Sequence, residues 1–316
     1  MTRVTLLAGG VGGAKMAEGF AALADVELTI IGNVADDEEF HGLWVSPDID
    51  TMLYTLSGRI NRAQGWGVED EGRRALDTLG DLGAETWMFL GDRDFGLHIY
   101  RTERLRRGDR PSDITRDIAT AFGLRSRLIL PTDARVQTRV RTAAGWLSFQ
   151  EYFVRERCAP EVEALTFEGI DAARPTTEAL AALHDADLIV IAPSNPLVSI
   201  APILGITGIT ENIARASAPV FAVSPLIAGK VVKGPADKMM RALGSRADAV
   251  GVAERYRGIA QHFVLDAADD ALSEEVAALG MVPHVTDIMM PDATAKAGLA
   301  RHLMDLFAAT EAGRAA

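Results

Sequence analysis

Short apolar runs recur along the chain, and between most of them lies a stretch with helical spacing of its apolar residues. Val4–Ala8, Val26–Ile31, Trp87–Leu90, Asp187–Ala192, Pro219–Val223, His262–Leu265 and Val282–Val285 are too short for helices and read as buried strands. Ala14–Leu23, Ile49–Leu56, Ile114–Phe122, Glu178–Leu183 and Ala295–Phe307 carry the helical pattern. Such alternation predicts an α/β fold: a three-layer, Rossmann-like, mainly parallel sheet with helices on both faces. Ligands of such sheets lie beyond the carboxyl ends of the strands, so the residues that follow each run are the candidate site.

The pattern changes between Asp92 and Arg174. Arg135–Arg141 alternates polar and apolar residues, and Trp146–Val154 reads as its hairpin partner across Ala144-Gly145. This predicts a core made of 1–91 and 175–316, with 92–174 as an inserted cap subdomain. From Arg93 to Arg141 there are 12 arginines and 6 acids, although the whole chain carries a formal net charge of −12. A basic zone in an acidic protein suggests a polyanionic small ligand. The alternative, a solvated helix surface, suits Arg104, Arg106, Arg107 and Arg110.

The 316 residues allow one large α/β domain or two smaller ones, and 48% hydrophobic content is ample for a core. The acidic balance argues against nonspecific nucleic-acid binding. A single cysteine, Cys158, excludes an internal disulfide and a cysteine zinc cluster. No apolar run approaches the roughly 20 residues of a membrane helix. A cytoplasmic protein bound to neither membrane nor nucleic acid is expected.

The first chemical stretch is LLAGGVGGAKM, Leu6–Met16, at a strand-to-helix turn. Gly10, Gly12 and Gly13 permit close approach of a ligand to backbone amides, and a helix start with Lys15 beside it favours phosphate. Neither a Rossmann fingerprint nor a P-loop is matched, because Lys15 and Met16 stand where each motif needs other residues. A tight turn packing on the sheet without a ligand is the competing reading. In SPDIDTMLYTLSG, Asp48 and Asp50 flank one residue and could hold a hard cation such as Mg2+; otherwise Asp50 caps the helix and Asp48 is solvated. In FLGDRDFGLHIYRT, Arg93 could fork onto a phosphate or a ring carbonyl, or form a local ion pair. Ser194 and Asn195, between two prolines in APSNPLVSIAPIL, form a rigid polar corner able to read a base edge. SPLIAGKVVKGPADKMM holds Lys230, Lys233 and Lys238, three of only five lysines. Asp36 and Asp37 follow the second run, where a NAD-binding protein keeps its ribose-binding acid, but DDEEF reads instead as a solvated acidic loop.

Taken together with TDARVQTRVRT, these stretches resemble the 2-phospho-L-lactate transferase family of coenzyme F-420 (deazaflavin) biosynthesis, over nearly the whole chain. The resemblance implies transfer of a phospho-lactyl, phospho-enolpyruvyl or phospho-glyceryl group from a guanosine-diphospho-linked donor to the ribityl hydroxyl of a 5-deazaflavin alcohol, with release of GMP. It implies magnesium at Asp48 and Asp50, and deazaflavin contacts and catalysis at Asp50 and Arg93. The donor diphosphate would lie over Gly10, Gly12, Gly13 and Lys15, with the guanosine end toward Ser194, Asn195, Lys230 and Lys233. A homodimer is expected. Two other readings stand: a non-enzymatic nucleotide-sugar-binding regulator of the related gluconeogenesis-factor family, and a NAD-dependent oxidoreductase.

Overall fold

A computed structural model describes residues 1–315. Its centre is a seven-stranded sheet in which every pairing is parallel. From one edge to the other the strands are Val282–Thr286, His262–Asp266, Val220–Val223, Leu188–Ile191, Thr2–Ala8 (β1), Val26–Gly32 (β2) and Arg127–Ile129. The chain first builds outward from β1 to β2 and Arg127–Ile129. It then returns to place Leu188–Ile191 on the other side of β1, in the order of a doubly wound nucleotide-binding sheet. The central strands are buried on both faces: Leu6, Leu7, Val190 and Ile191 are fully covered. That explains why they read as continuous apolar runs rather than alternating ones. Each face carries its own apolar core, one holding Leu7, Ile189 and Phe263, the other Leu6, Ile30 and Val190.

The reversal between β1 and Leu188–Ile191 opens a crevice at their carboxyl ends. Gly10–Ala21 (α1) starts there immediately after β1, and Pro47–Leu56 (α2) packs beside it. Above the crevice lies a three-stranded antiparallel sheet with Gln137–Thr142 in the middle, flanked by Gly145–Ser148 and Ala164–Glu168.

Three expectations need correction. Trp87–Leu90 is not a strand; it is irregular chain with a bend at Met88, and its apolar side chains join Phe40, Val45, Leu76 and Phe95 in a small separate cluster. The hairpin's second strand stops at Ser148, and Glu151–Arg155 continues as a π-helical turn. The range 92–174 contains Arg127–Ile129, which pairs with β2 and is part of the main sheet. Among the described residues no single helix is long and apolar enough to cross a membrane.

Candidate functional site

The crevice holds a cleft of about 590 Å³. Segments that follow five strands line it: Gly9–Gly12 and Lys15, Asp36, Pro193–Asn195, Ser224–Pro225 and Ile288–Met290. Trp66, Met88, Phe89, Phe149 and Phe153 close it from the opposite side with apolar surface.

One wall is cationic and rich in backbone amides. Gly10 adopts φ +61 at the helix start, a conformation that disfavours any residue with a Cβ. The other glycines are there for packing. A Cβ on Gly12 would stand 2.1 Å from the Pro193 carbonyl oxygen, and one on Gly13 would stand 2.8 Å from Ser194 Oγ. A Cβ on Gly9 would meet Asp48 Oδ2 at 2.5 Å. Gly12 and Gly13 are thus tightly packed against the Pro193–Ser194 turn, while Gly10, Gly12 and the start of α1 line the cleft. Lys15 and Lys233 both line this wall. Burial depresses the pKa of each; Lys296 lowers Lys15 further, partly offset by Glu18, and Lys15 lowers that of Lys233, so the two ammonium groups are near enough to repel. Lys233 Nζ meanwhile donates to the Gln64 carbonyl.

Ser194 and Asn195 border the same wall but are largely committed to the fold. Ser194 Oγ donates to the Gly9 carbonyl (2.7 Å) and accepts from the Gly9 amide (3.1 Å), which clamps the two turns together. Asn195 Oδ1 accepts from Leu197 N at 2.9 Å, the cap of the turn that follows. Lys230 is exposed and lies outside the lining, and Lys238 donates to the Cys158 and Ala159 carbonyls.

Carboxylates line the same cleft, and one of them, Asp48, lies against the Gly9–Gly10 turn. Asp36, Asp48, Asp50 and Asp94 line the cleft, all buried, with Asp37 buried behind them. Asp36 and Asp37 are thus not a solvated loop. Their backbone is pinned from the small sheet, where Gln137 Nε2 donates to the Asp37 carbonyl (2.9 Å) and Gln150 Nε2 to that of Asp36 (3.3 Å). Burial, then the charge of Asp48, pushes the Asp36 carboxyl well above its usual range, and its Oδ1 has no hydrogen-bond partner. Burial also lifts Asp48 to about 6, although Asn33 Nδ2 donates to its Oδ2 at 2.9 Å. Asp37 is pushed up to about 8 by burial, offset by the Ser46 hydroxyl that donates to its Oδ2 at 2.7 Å.

Asp50 faces a different neighbourhood from Asp48, as two residues on one helix must. It does not cap α2, whose N-cap position is Ser46. Both of its oxygens accept from the buried Arg101 guanidinium, Oδ2 at 3.1 Å, and His98 Nδ1 lies 3.7 Å away. Burial holds His98 down at about 4, as a neutral imidazole on the cleft wall. Tyr54 Oη donates to Asp94 Oδ1 at 2.6 Å, and burial pushes Asp94 up to about 6.

Arg93 is not brought to this cleft. It lines a neighbouring cavity of about 730 Å³ with Arg59, Leu97, Tyr100 and Phe122, and its Nη1 donates to the Glu69 carbonyl at 2.9 Å. Tyr54 borders both cavities, and the segment Trp66–Asp70 runs between them. Asp92 accepts from the Ala75 amide at 2.9 Å and so starts another helix. Most of the basic zone is surface ion pairing, as in Arg104 with Asp117 and Arg110 with Asp133 and Glu178, and does not face the cleft.

Reading the sequence missed His98, Arg101, Tyr54 and Asn33. A signal existed for two of them: Asp94, His98 and Arg101 follow a spacing of four and three, which places three polar residues on the inward face of a helix.

Comparison with known proteins adds identity to this geometry. The chain is 40% identical to a phosphoenolpyruvate transferase of Streptomyces griseus, over 96% of this chain and 98% of that one. It is 36% identical to a phosphoenolpyruvate transferase of Mycobacterium tuberculosis (96% and 98% covered) and 35% identical to a 2-phospho-L-lactate transferase of Methanosarcina acetivorans (96% and 98%). A crystal structure of a upf0052-family protein from Bacillus halodurans superposes with a TM-score of 0.59 at 17% identity, covering 91% of this chain and 93% of that one, a likeness of fold. The family model described as 2-phospho-L-lactate transferase CofD matches residues 4–302, and the chain belongs to that family of transferases.

Proposed function

We propose that the protein transfers a phospho-linked small acid from a guanosine-diphospho-linked donor to the ribityl hydroxyl of a 5-deazaflavin alcohol, releasing GMP, in coenzyme F-420 biosynthesis. The observation that carries this reading is the meeting of cations, helix-start amides and carboxylates in one cleft. The start of α1, Lys15 and Lys233 line it together with Asp36, Asp48, Asp50 and Asp94, and Asp48 lies against the Gly9–Gly10 turn itself. A diphosphate suits the cations and amides, and a hydroxyl that must lose its proton suits the carboxylates. Higher identity to relatives named phosphoenolpyruvate transferase favours an enolpyruvyl group over a lactyl or glyceryl one.

In the transfer, the acceptor oxygen forms a bond to the phosphorus that carries the acid. The bond from that phosphorus to the bridging oxygen breaks, and GMP leaves with the electron pair. The chain contributes position and charge rather than a covalent nucleophile. Lys15, Lys233 and the amides at the start of α1 hold the diphosphate. The acidic wall orients the hydroxyl and takes its proton.

Among the described residues no group of three or more His, Cys, Asp or Glu is arranged around one point to hold a metal. Two carboxylates do fit a magnesium ion: Asp36, with its orphaned Oδ1, and Asp48 lie side by side, each raised in pKa and without a cation. Magnesium commonly takes one or two carboxylates and completes its shell with water and substrate phosphate. When bound there it would offset the paired charge and stabilise phosphoryl oxygens. Asp50 is already matched by Arg101, so Asp36 and Asp48 form the better pair.

The test is incubation of the purified protein and magnesium with deazaflavin alcohol and each guanylated acid in turn. GMP and a phosphodiester product identified by mass spectrometry are expected, fastest with the enolpyruvyl donor. Nucleotide binding with no GMP from any donor would favour the regulator. Saturable NADH binding would favour the oxidoreductase.

A further inference from the structure

The transfer proposed above leaves the buried cation of the acidic wall unused. Arg101 is the one buried arginine among the described residues, 4% exposed, and it lines neither cavity. It reaches Asp50 as a fork, Nη1 to Oδ2 at 3.1 Å and Nη2 to Oδ1. The fork is itself braced. Nη1 stands 3.5 Å from the Trp44 carbonyl and 3.4 Å from His98 Nδ1, and Trp44 is tied in turn through its indole N–H to Asp37 Oδ2 at 3.1 Å. Asp50 receives one further donor, the Ser46 amide at 3.4 Å.

A buried ion pair is a weak means of stabilising a fold, since apolar residues of like volume often serve as well. What a two-point guanidinium–carboxylate contact supplies is direction. A lone carboxylate in the first turn of a helix turns about two side-chain torsions. The fork fixes both, and so sets the carboxylate's orientation in the cleft that this residue lines. The geometry points to Arg101 as a positioning residue for the transfer, acting through Asp50 and touching no substrate. This inference rests on the function proposed above.

The experiment is a double-mutant cycle of Arg101→Lys and Asp50→Asn, with Arg101→Gln as a second entry to the cycle should the lysine variant not fold. Lysine keeps the charge and loses the fork; glutamine keeps one donor and loses the charge. For each soluble variant, GMP release gives kcat and the two KM values, calorimetry gives GDP affinity, and melting gives stability. Arg101→Lys is expected to lower kcat about ten- to hundredfold while GDP affinity and donor KM stay at wild-type values. In the Asp50→Asn background the same change should cost no further kcat, because its route of action is already removed. A wild-type kcat in Arg101→Lys, or a loss that multiplies with that of Asp50→Asn, would overturn the inference while the transfer stands. Wild-type protein that releases no GMP from any donor would overturn the transfer, and this inference with it.

Discussion

Asp50 reads from the sequence as a helix cap or metal ligand, and its surroundings change what its replacement should do. Asp50→Asn leaves the Arg101 guanidinium buried without a counter-charge, which typically costs about 3–5 kcal/mol. Thermal melting should therefore fall by roughly 5–8 °C along with GMP release, whereas a mere cap replaced by Asn would not move the melt. Lys15→Met tests the cationic side of the cleft. Lys15 makes no side-chain hydrogen bond among the described residues, is half-buried and sits beside the start of α1, so GDP affinity should drop about tenfold with melting unchanged. Calorimetry with equal affinities would remove Lys15 from the donor site. The raised carboxyls add a pH dependence. Folded Asp94 and Asp37 keep their protons up to about 6 and about 8, whereas the unfolded chain releases them near 3.8. Their contribution to stability is full below that unfolded value and is lost as pH rises, ending first for Asp94 and later for Asp37. Metal-free protein should melt progressively lower from about pH 5 to about pH 8, and Asp37→Asn should flatten the upper half of that fall. A flat wild-type profile would show that the acids are ionised throughout.

At the scale of elements, the βα turn after β1 holds two functions that the sequence does not separate. Gly12 is filled by the Pro193 carbonyl, so even Gly12→Ala should push the two central turns apart. Lower melting and weaker GDP binding are expected together, and a variant that loses only the ligand would contradict the packing role. The strands and helices of the main sheet were legible because buried parallel strands are short apolar runs and their helices carry period-3.6 patterns. Trp87–Leu90 misled because a run of that length is apolar whether it joins a sheet or lines a cleft. Arg127–Ile129 escaped because an edge strand of three residues, two of them arginine and isoleucine with a leucine between, has too few covered positions to show a pattern. The glycine turn, Asp48 and Asp50 were visible as compact motifs. Arg101 and His98 were not, and Asp36 was read as part of a solvated loop, since their surroundings come from neighbours that are distant in sequence, such as Asp50 for Arg101 at a separation of 51. Polar residues at core-facing helix spacing were the available clue.

At the scale of the whole molecule, β1 lies between β2, which follows it closely, and Leu188–Ile191, whose Leu188 pairs with Val4. The clamp that closes the cleft floor, Gly9 with Ser194, spans 185 residues. A chain that emerges amino end first, at about 5–20 residues per second, exposes an unpaired edge of its central strand for roughly 10–40 s before that partner exists. Loop closure over such a distance also makes spontaneous refolding slow. Fragments that end before Leu188 should aggregate, and those that continue past Val223 should become progressively more soluble, as separation of expressed truncations by centrifugation would show. Equal solubility of both sets would mean that the first half carries a core sufficient to itself. The arrangement that places the glycine turn at the middle of the sheet thus makes the floor of this cleft a late product of the chain's own synthesis.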